Sequence, residues 1–300
     1  MSNGPLPPVT NGAIPAAEVA LFLQSSGMTI EQLMLALIPQ AQKFAIPPIS
    51  NFFVGAVALG SSGSLYFGAN YEFVGQALSF TVHGEQAATA HAISRGETGM
   101  QKLAVSAAPC GYCRQFLYEL TTASTLEIIL PNTPTALLTS LIPDAFGPGD
   151  LGVTAGLMSP QSHGMTLSPE ACDPVVEAAL AGDPVVEAAL AAANASYAPY
   201  TVGYAGVALK TRDGGIFTGS VAENAAFNPS MSPLEAAVVS LVISGGKSYS
   251  DIVDAVLVEA AGSKASQAAA TRDVLGTITS VTLRAYQAHT SHRKEGKQHA

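Results

Sequence analysis

His83-Gly84-Glu85 and Pro109-Cys110-Gly111-Tyr112-Cys113-Arg114 together supply one imidazole, one carboxylate and two thiols, and the rest of the chain can be laid out around them. Two cysteines three residues apart meet on one turn of a helix, where the free N–H groups favour thiolates. With His83 they make three ligands of the nitrogen and sulfur type that zinc takes. Three protein ligands leave the fourth position open, as in a catalytic rather than a structural zinc site. A redox Cys-x-x-Cys pair is the competing reading, but it leaves His83, Glu85 and the helix-start proline as coincidences.

Strands and helices alternate on either side of these motifs. Residues 83–95 read as a helix stopped by Gly96, Lys102 to Ala107 as a strand, Cys110 to Leu120 as a helix opened by Pro109, and Leu126 to Leu130 as the next strand. Upstream, the apolar runs Phe53 to Leu59 and Leu65 to Ala69 flank Gly60-Ser61-Ser62-Gly63-Ser64 and form a hairpin. Before it, Pro15 opens a helix over Ala16 to Gln24 that Gly27 breaks. Thr29, with Gln32 three residues on, caps a second helix that Pro39 is expected to bend or interrupt. Residues 1–12 read as a loose arm.

Downstream, residues 173–182 and 183–192 are a near-perfect tandem copy. Each begins Asp-Pro, which suits an N-cap and first turn, so the pair forms two short helices or one helix led by a loop. After it the order of elements repeats. There is a helix to Ser196, strands near Ala205 to Lys210 and up to Thr218, a helix over Pro233 to Ser244, a strand near Val253 to Glu259, a helix from Ser266 and a strand from Ser280. A uniform shift of 150 positions lays Glu85 on Glu235 and His83 on Pro233. The one cysteine outside the motif, Cys172, precedes this second series, so the second half cannot rebuild the metal set. It reads as a degenerate copy whose job is packing. The expected division is an N-terminal arm with helices over 1–48, a metal-bearing domain over 49–150, a linker over 151–192 and the degenerate domain over 193–300.

An apolar fraction of 48% is enough for real cores. Thirteen Lys and Arg against 22 Asp and Glu give a net charge of -9, which works against nucleic acid as a partner. No apolar run approaches the length of a membrane span and no leader pattern opens the chain, so neither membrane nor secretion is expected. Three cysteines, two of them placed for metal, suit a reducing compartment, with the cytosol as the default. Residues 291–300 read as a solvated basic tail. His91 is expected to pack rather than ligate, Cys172 to be structural, and His163 has no nameable partner. Arg114 could hydrogen-bond a thiolate or lie exposed on its helix.

Zinc held by one histidine and two thiolates lowers the pKa of its water from about 15.7 to about 7. Glu85, two residues from a ligand, can take a proton from that water and pass it to a ring nitrogen and a departing amine.

This signature resembles that of the zinc-dependent nucleobase deaminases. Over nearly its whole length the chain resembles the cytidine deaminase family, specifically the two-domain homodimeric type. The matching stretches are Phe52-Phe53-Val54-Gly55-Ala56, Tyr66-Phe67-Gly68-Ala69-Asn70-Tyr71-Glu72, Thr81-Val82-His83-Gly84-Glu85-Gln86, Pro109 to Phe116, Asp144-Ala145-Phe146-Gly147-Pro148 and Ala222-Glu223-Asn224-Ala225-Ala226-Phe227-Asn228-Pro229. The resemblance implies two three-layer α/β/α domains, each a mixed sheet flanked by helices, the second degenerate, with an N-terminal helical segment. It implies one Zn2+ per subunit, a homodimer, and hydrolysis of cytidine and 2′-deoxycytidine to the uridines and ammonia in pyrimidine salvage. It also implies that Asn70 and Glu72 hold the ribose 3′-hydroxyl, Phe52 stacks on the base and Phe146 closes the pocket. An amide and a carboxylate at i and i+2 leaving a strand point the same way, which suits a sugar hydroxyl. Gly84 departs from the family, which usually has alanine there, and is expected to weaken helix order at that turn while the ligands remain. The alternatives are a deaminase of bases in RNA or single-stranded DNA, which the acidic balance disfavours, and a non-catalytic zinc-stabilised dimer module, which has no use for Glu85.

Overall fold

The computed structural model describes residues 5–167 and 182–290. Cys172, all but the last residue of the first tandem copy, and the tail 291–300 lie outside the described residues. The first half runs β1 (Ala13–Ile14), α1 (Ala16–Ser26), α2 (Ile30–Ala41), β2 (Gly55–Gly60), β3 (Leu65–Ala69), α3 (Gly84–Ser94), β4 (Met100–Val105), α4 (Gly111–Leu117), β5 (Glu127–Ile129), β6 (Ala136–Leu137) and α5 (Leu138–Leu141). The second half runs β7 (Met165–Leu167), α6 (Pro184–Asn194), β8 (Ala205–Thr211), β9 (Ile216–Ser220), α7 (Pro233–Val239), β10 (Ile252–Ala260), α8 (Ala268–Ile278) and β11 (Arg284–Thr290).

The two sheets have the orders β1-β3-β2-β4-β5-β6 and β7-β11-β10-β8-β9. Only β4–β5 in the first and β10–β11 in the second are parallel, so β3-β2-β4-β5 matches β9-β8-β10-β11 strand for strand. Every residue of β2 and β3 is buried, as a sheet covered on both faces requires. Successive residues of β2 show the two covers: Gly55 approaches the Ile38 carbonyl of α2, and Ala56 faces Gly84 of α3. On the second sheet, Gly206 meets α6 and Gly219 meets α7. Helices α3 and α7 touch, so the halves pack through their inner helices around a shared core.

Local chemistry sets the helix ends. Thr29 and Gln32 form a reciprocal capping box at α2, and Gly27 closes α1 in the left-handed conformation. Helix α2 continues through Pro39 rather than breaking there. Pro39 lies in its last turn on the exposed side, where the hydrogen bond it removes costs least. Asp183 accepts hydrogen bonds from the N–H groups of Val185 and Val186 with Pro184 at the first helical position, so the second tandem copy makes a single helix. That helix spans the boundary expected at 192 and packs on β8 and β10, while β7, also drawn from the expected linker, pairs with β11. Helix α2 likewise lies on β2 and β4, burying Leu33, Met34 and Leu37. Helix α7 ends earlier than expected and passes into a π-helical turn over Ser240–Ser244. Among the described residues no single helix is long and apolar enough to cross a membrane.

The uniform shift of 150 does not survive. Glu72 falls opposite Glu223 and Gly68 opposite Gly219, one position beyond it, whereas the N-caps His83 and Ser232 correspond one position short of it. The loop between strand and helix is shorter in the second half, which moves the register. Glu235 therefore matches Gln86, and Leu234 stands where Glu85 is.

Candidate metal and active site

Helix α3 begins at His83 as its N-cap, with the Gln86 side chain accepting from the His83 N–H at 3.2 Å. That geometry turns the imidazole off the helix end and places Glu85 in the first turn, only 4% exposed. Cys110 is the N-cap of α4 and Cys113 lies in its first turn. The sulfurs of Cys110 and Cys113 stand 3.6 and 3.2 Å from His83 Nδ1 and 3.7 Å from each other. The three donor atoms lie within 4.8 Å of one another, a spacing that fits one metal ion. Neither cysteine is in a disulfide.

The electrostatics suit that purpose. The Cys110 thiol is drawn down to about 5, first by its hydrogen bond with Cys113 and then by the N–H groups of the helix start. Cys113 is pushed up, first by sharing that bond with Cys110, then by its burial and by Glu85. The pair thus gives up one proton readily and holds the other, until a cation stabilises both thiolates. Burial also pushes Glu85 up, while His83 and Cys113 pull the other way.

Asn70 and Glu72 leave β3 and reach the same loop, 49–54. Asn70 Oδ1 accepts from Val54 N–H at 2.9 Å and its Nδ2 donates to the Phe52 carbonyl at 2.8 Å. Glu72 Oε2 accepts from the N–H groups of Ile49 at 2.7 Å and Ser50 at 2.9 Å, and Ser50 Oγ donates to the other oxygen. Burial alone would raise the Glu72 carboxyl, but these hydrogen bonds outweigh it and hold it below its usual value. The loop abuts the metal helix, since Val54 packs on Gly84. Phe52 is not a core aromatic: it is 60% exposed. Phe146 is also exposed, and its carbonyl accepts from Gln115 Nε2 on α4 at 2.7 Å.

Arg114 does neither thing expected of it: its Nε and Nη1 donate to the carbonyls of Pro109 and Leu141, at 2.9 and 2.7 Å, bracing the turn that carries Cys110. His91 is fully buried with Nδ1 3.0 Å from the Phe67 carbonyl, away from the metal set. His163 stacks on Tyr204 at a ring separation of 3.5 Å. Sequence reasoning passed over Tyr112, whose ring lies 5.6 Å from that of His83. Its place between the two cysteines was the available signal.

A His–Cys–Cys set opened by two helix starts, with a buried carboxylate beside it, on a mixed sheet between helices, defines a zinc-dependent deaminase. Models of the cytidine and deoxycytidylate deaminase zinc-binding region match residues 28–127 and 138–272. The chain is 46% identical to a cytidine deaminase of Photobacterium profundum over 85% of its own length and 82% of that protein. It is 47% identical to one from Aeromonas hydrophila over 90% and 88%. A solved cytidine deaminase from Mycobacterium tuberculosis aligns 99% of its length with 40% of this chain, at 33% identity and a TM-score of 0.37. This chain belongs to the cytidine deaminase family.

Proposed function

We propose that the chain hydrolyses cytidine and 2′-deoxycytidine to the corresponding uridines and ammonia, with His83, Cys110 and Cys113 holding one zinc and Glu85 moving the protons. The observation that carries this reading is the buried Glu85 carboxyl in the turn next to His83, facing the Cys113 thiol. Zinc supplies Lewis acidity that lowers the pKa of a bound water to about 7. Glu85 takes one proton from water and delivers it to ring N3 as oxygen adds to C4, then takes the remaining proton from the C4 hydroxyl and gives it to the amine, so that the C4–N bond breaks, ammonia leaves and the C4 carbonyl forms. Its raised proton affinity suits both halves of that task, because a carboxyl of ordinary strength would be reluctant to carry the proton between them. Asn70 and Glu72 orient the sugar through its 3′-hydroxyl, either directly or through the loop that they hold, and Phe52 and Phe146 offer exposed rings to the base. A homodimer and the cytosol belong to the same proposal, supported by the family.

The test is loss of the cytidine absorbance band on incubation with zinc-replete protein, with deoxycytidine and a polycytidylate strand run beside it. Turnover of both free nucleosides and not of the polymer is expected. No change with either nucleoside sinks the proposal.

A further inference from the structure

Helix α4 carries both cysteines at its start but spans only Gly111–Leu117, too short to hold an orientation by itself. Tyr112, Gln115 and Glu119 recur three and four positions apart along it and just past its end, so they share a face. All three reach the same segment of the second half. Tyr112 Oη donates to the Asn228 carbonyl at 2.9 Å. Gln115 and Asn224 pair reciprocally: Gln115 Nε2 donates to Asn224 Oδ1 at 3.3 Å, and Asn224 Nδ2 donates to the Gln115 carbonyl at 2.9 Å. Glu119 accepts from Ala225 N–H at 2.9 Å, from Tyr197 Oη at 2.8 Å and from Tyr200 Oη. Glu119 and Asn224 are fully buried.

A carboxylate drawn out of water is costly unless its hydrogen bonds are satisfied. An apolar side chain would fill the same space, so its presence selects geometry: one acceptor group fixes donors from two separate loops. We propose that the second half, which has no metal set of its own, serves as a brace for the metal-binding helix, with Glu119 as a positioning residue that sets the angle at which Cys110 and Cys113 meet His83. This rests on the zinc assignment above.

The experiment replaces zinc by cobalt(II) and reads the thiolate-to-cobalt and d–d bands, together with metal affinity by chelator competition, in the intact chain. Glu119→Ala is expected to shift the bands and weaken metal binding about tenfold or more, the range seen when groups that orient metal ligands are lost, with kcat falling further than KM. Glu119→Gln keeps an oxygen for Ala225 N–H and an amide that can donate to a phenol oxygen, so it is expected to stay near the parent. Asn224→Ala lies in the half without ligands and is expected to move the same bands in the same direction, less far. Unmoved bands and affinity in folded Glu119→Ala and Asn224→Ala overturn the brace, as does an equal loss in Glu119→Gln and Glu119→Ala. If Glu119→Ala does not fold, Asn224→Ala and Tyr197→Phe decide by the same readouts. The two readings fail separately: a parent protein inert on cytidine sinks the proposed activity and leaves the bands to judge the brace, while unmoved bands in active variants sink the brace alone.

Discussion

Replacing Gly84 by alanine sets two opposing effects against each other. A Cβ at position 84 would stand 2.9 Å from Val54 Cγ1 and 3.6 Å from Ala56 Cβ. The first is well inside the separation of about 3.5–4.0 Å at which carbon atoms attract. Valine is stiff about χ1, so Cγ1 cannot simply swing away. The loop behind it is tied down by Asn70 and Glu72. Relief must come from moving that loop or the first turn of α3, which carries His83 and Glu85. Overpacking of this kind costs about 1–3 kcal/mol, whereas alanine gains at most about 1 kcal/mol of helix preference, and less in a first turn. Gly84→Ala is therefore expected to destabilise by about 1–2 kcal/mol in urea unfolding and to lower kcat. In Gly84→Ala/Val54→Ala the new Cβ is left with Ala56 Cβ at 3.6 Å and the position-54 Cβ at 3.7 Å, both ordinary contacts. The pair should then couple by about 1–2 kcal/mol in a double-mutant cycle. A single Gly84→Ala variant as stable and as active as the parent, or strict additivity of the two changes, would refute the account.

Glu85→Gln should keep zinc, measured by metal analysis, while lowering kcat by about 10²–10⁴ or more, the range for loss of a general acid–base group; full turnover would remove Glu85 from its role. Phe52→Ala removes an exposed ring, so unfolding should shift by no more than about 0.5 kcal/mol while KM for cytidine rises; a large loss of stability with unchanged KM argues the reverse. Burial raises Glu235 to about 7 from 4.5, so its ionised form is disfavoured in the folded state, and stability falls as pH climbs from about 4.5 through 7. Glu235→Gln should flatten that fall by up to about 3 kcal/mol in pH-dependent unfolding, at about 1.4 kcal/mol per unit. His91 runs the other way: burial lowers it to about 4 from 6.5, so its neutral form stabilises the fold above 6.5 and that stability is lost as pH falls toward 4. An acid-unfolding midpoint unchanged in His91→Gln would count against it.

The three candidate metal ligands, whose donor atoms the fold brings within 4.8 Å of one another, were legible because each part is local. His83 and the Cys110/Cys113 pair are helix N-caps or first-turn residues, and both ends announce themselves through proline, glycine and spacing. What was hidden depends on contacts between distant segments. Phe52 is an apolar ring of the kind that fills cores, yet it stands exposed on a loop end whose carbonyl accepts from Asn70, and nothing local in the sequence marks that exposure. Gly84 read as a weakness of the helix because Val54, thirty positions earlier, cannot be seen as its neighbour in sequence. Arg114 found carbonyl partners on either side of its helix, one of them in α5. The shift of 150 failed because a loop-length change is invisible when two halves are aligned without gaps.

The corrected alignment makes the second half an internal control on the first. Glu223 accepts from Tyr200 N–H at 2.9 Å, Thr201 N–H at 3.2 Å and Thr201 Oγ1, repeating the pattern of Glu72 with Ile49 and Ser50. Gly219 and Gly68 each admit the backbone of an inner helix, where a Cβ would come within 2.1 and 2.2 Å of it. Ser232 and Glu235 repeat the hydrogen bond of His83 and Gln86 across the helix start. These features persist in a half whose described residues bring no metal-ligand group together, so they serve the fold. Asn70, His83, Glu85, Cys110 and Cys113 have no equivalents: Val221 stands for Asn70, Ser232 for His83 and Leu234 for Glu85, and no cysteine follows. The Glu72 pattern recurs in the second half and so serves the fold, whereas the Asn70 bonds to Val54 and Phe52 belong to the first half alone. Asn70→Ala should therefore free the 52–54 end of the loop, which has no counterpart in the second half, and raise KM for the nucleoside, whereas Glu72→Ala should free the 49–50 end and cost more stability in unfolding.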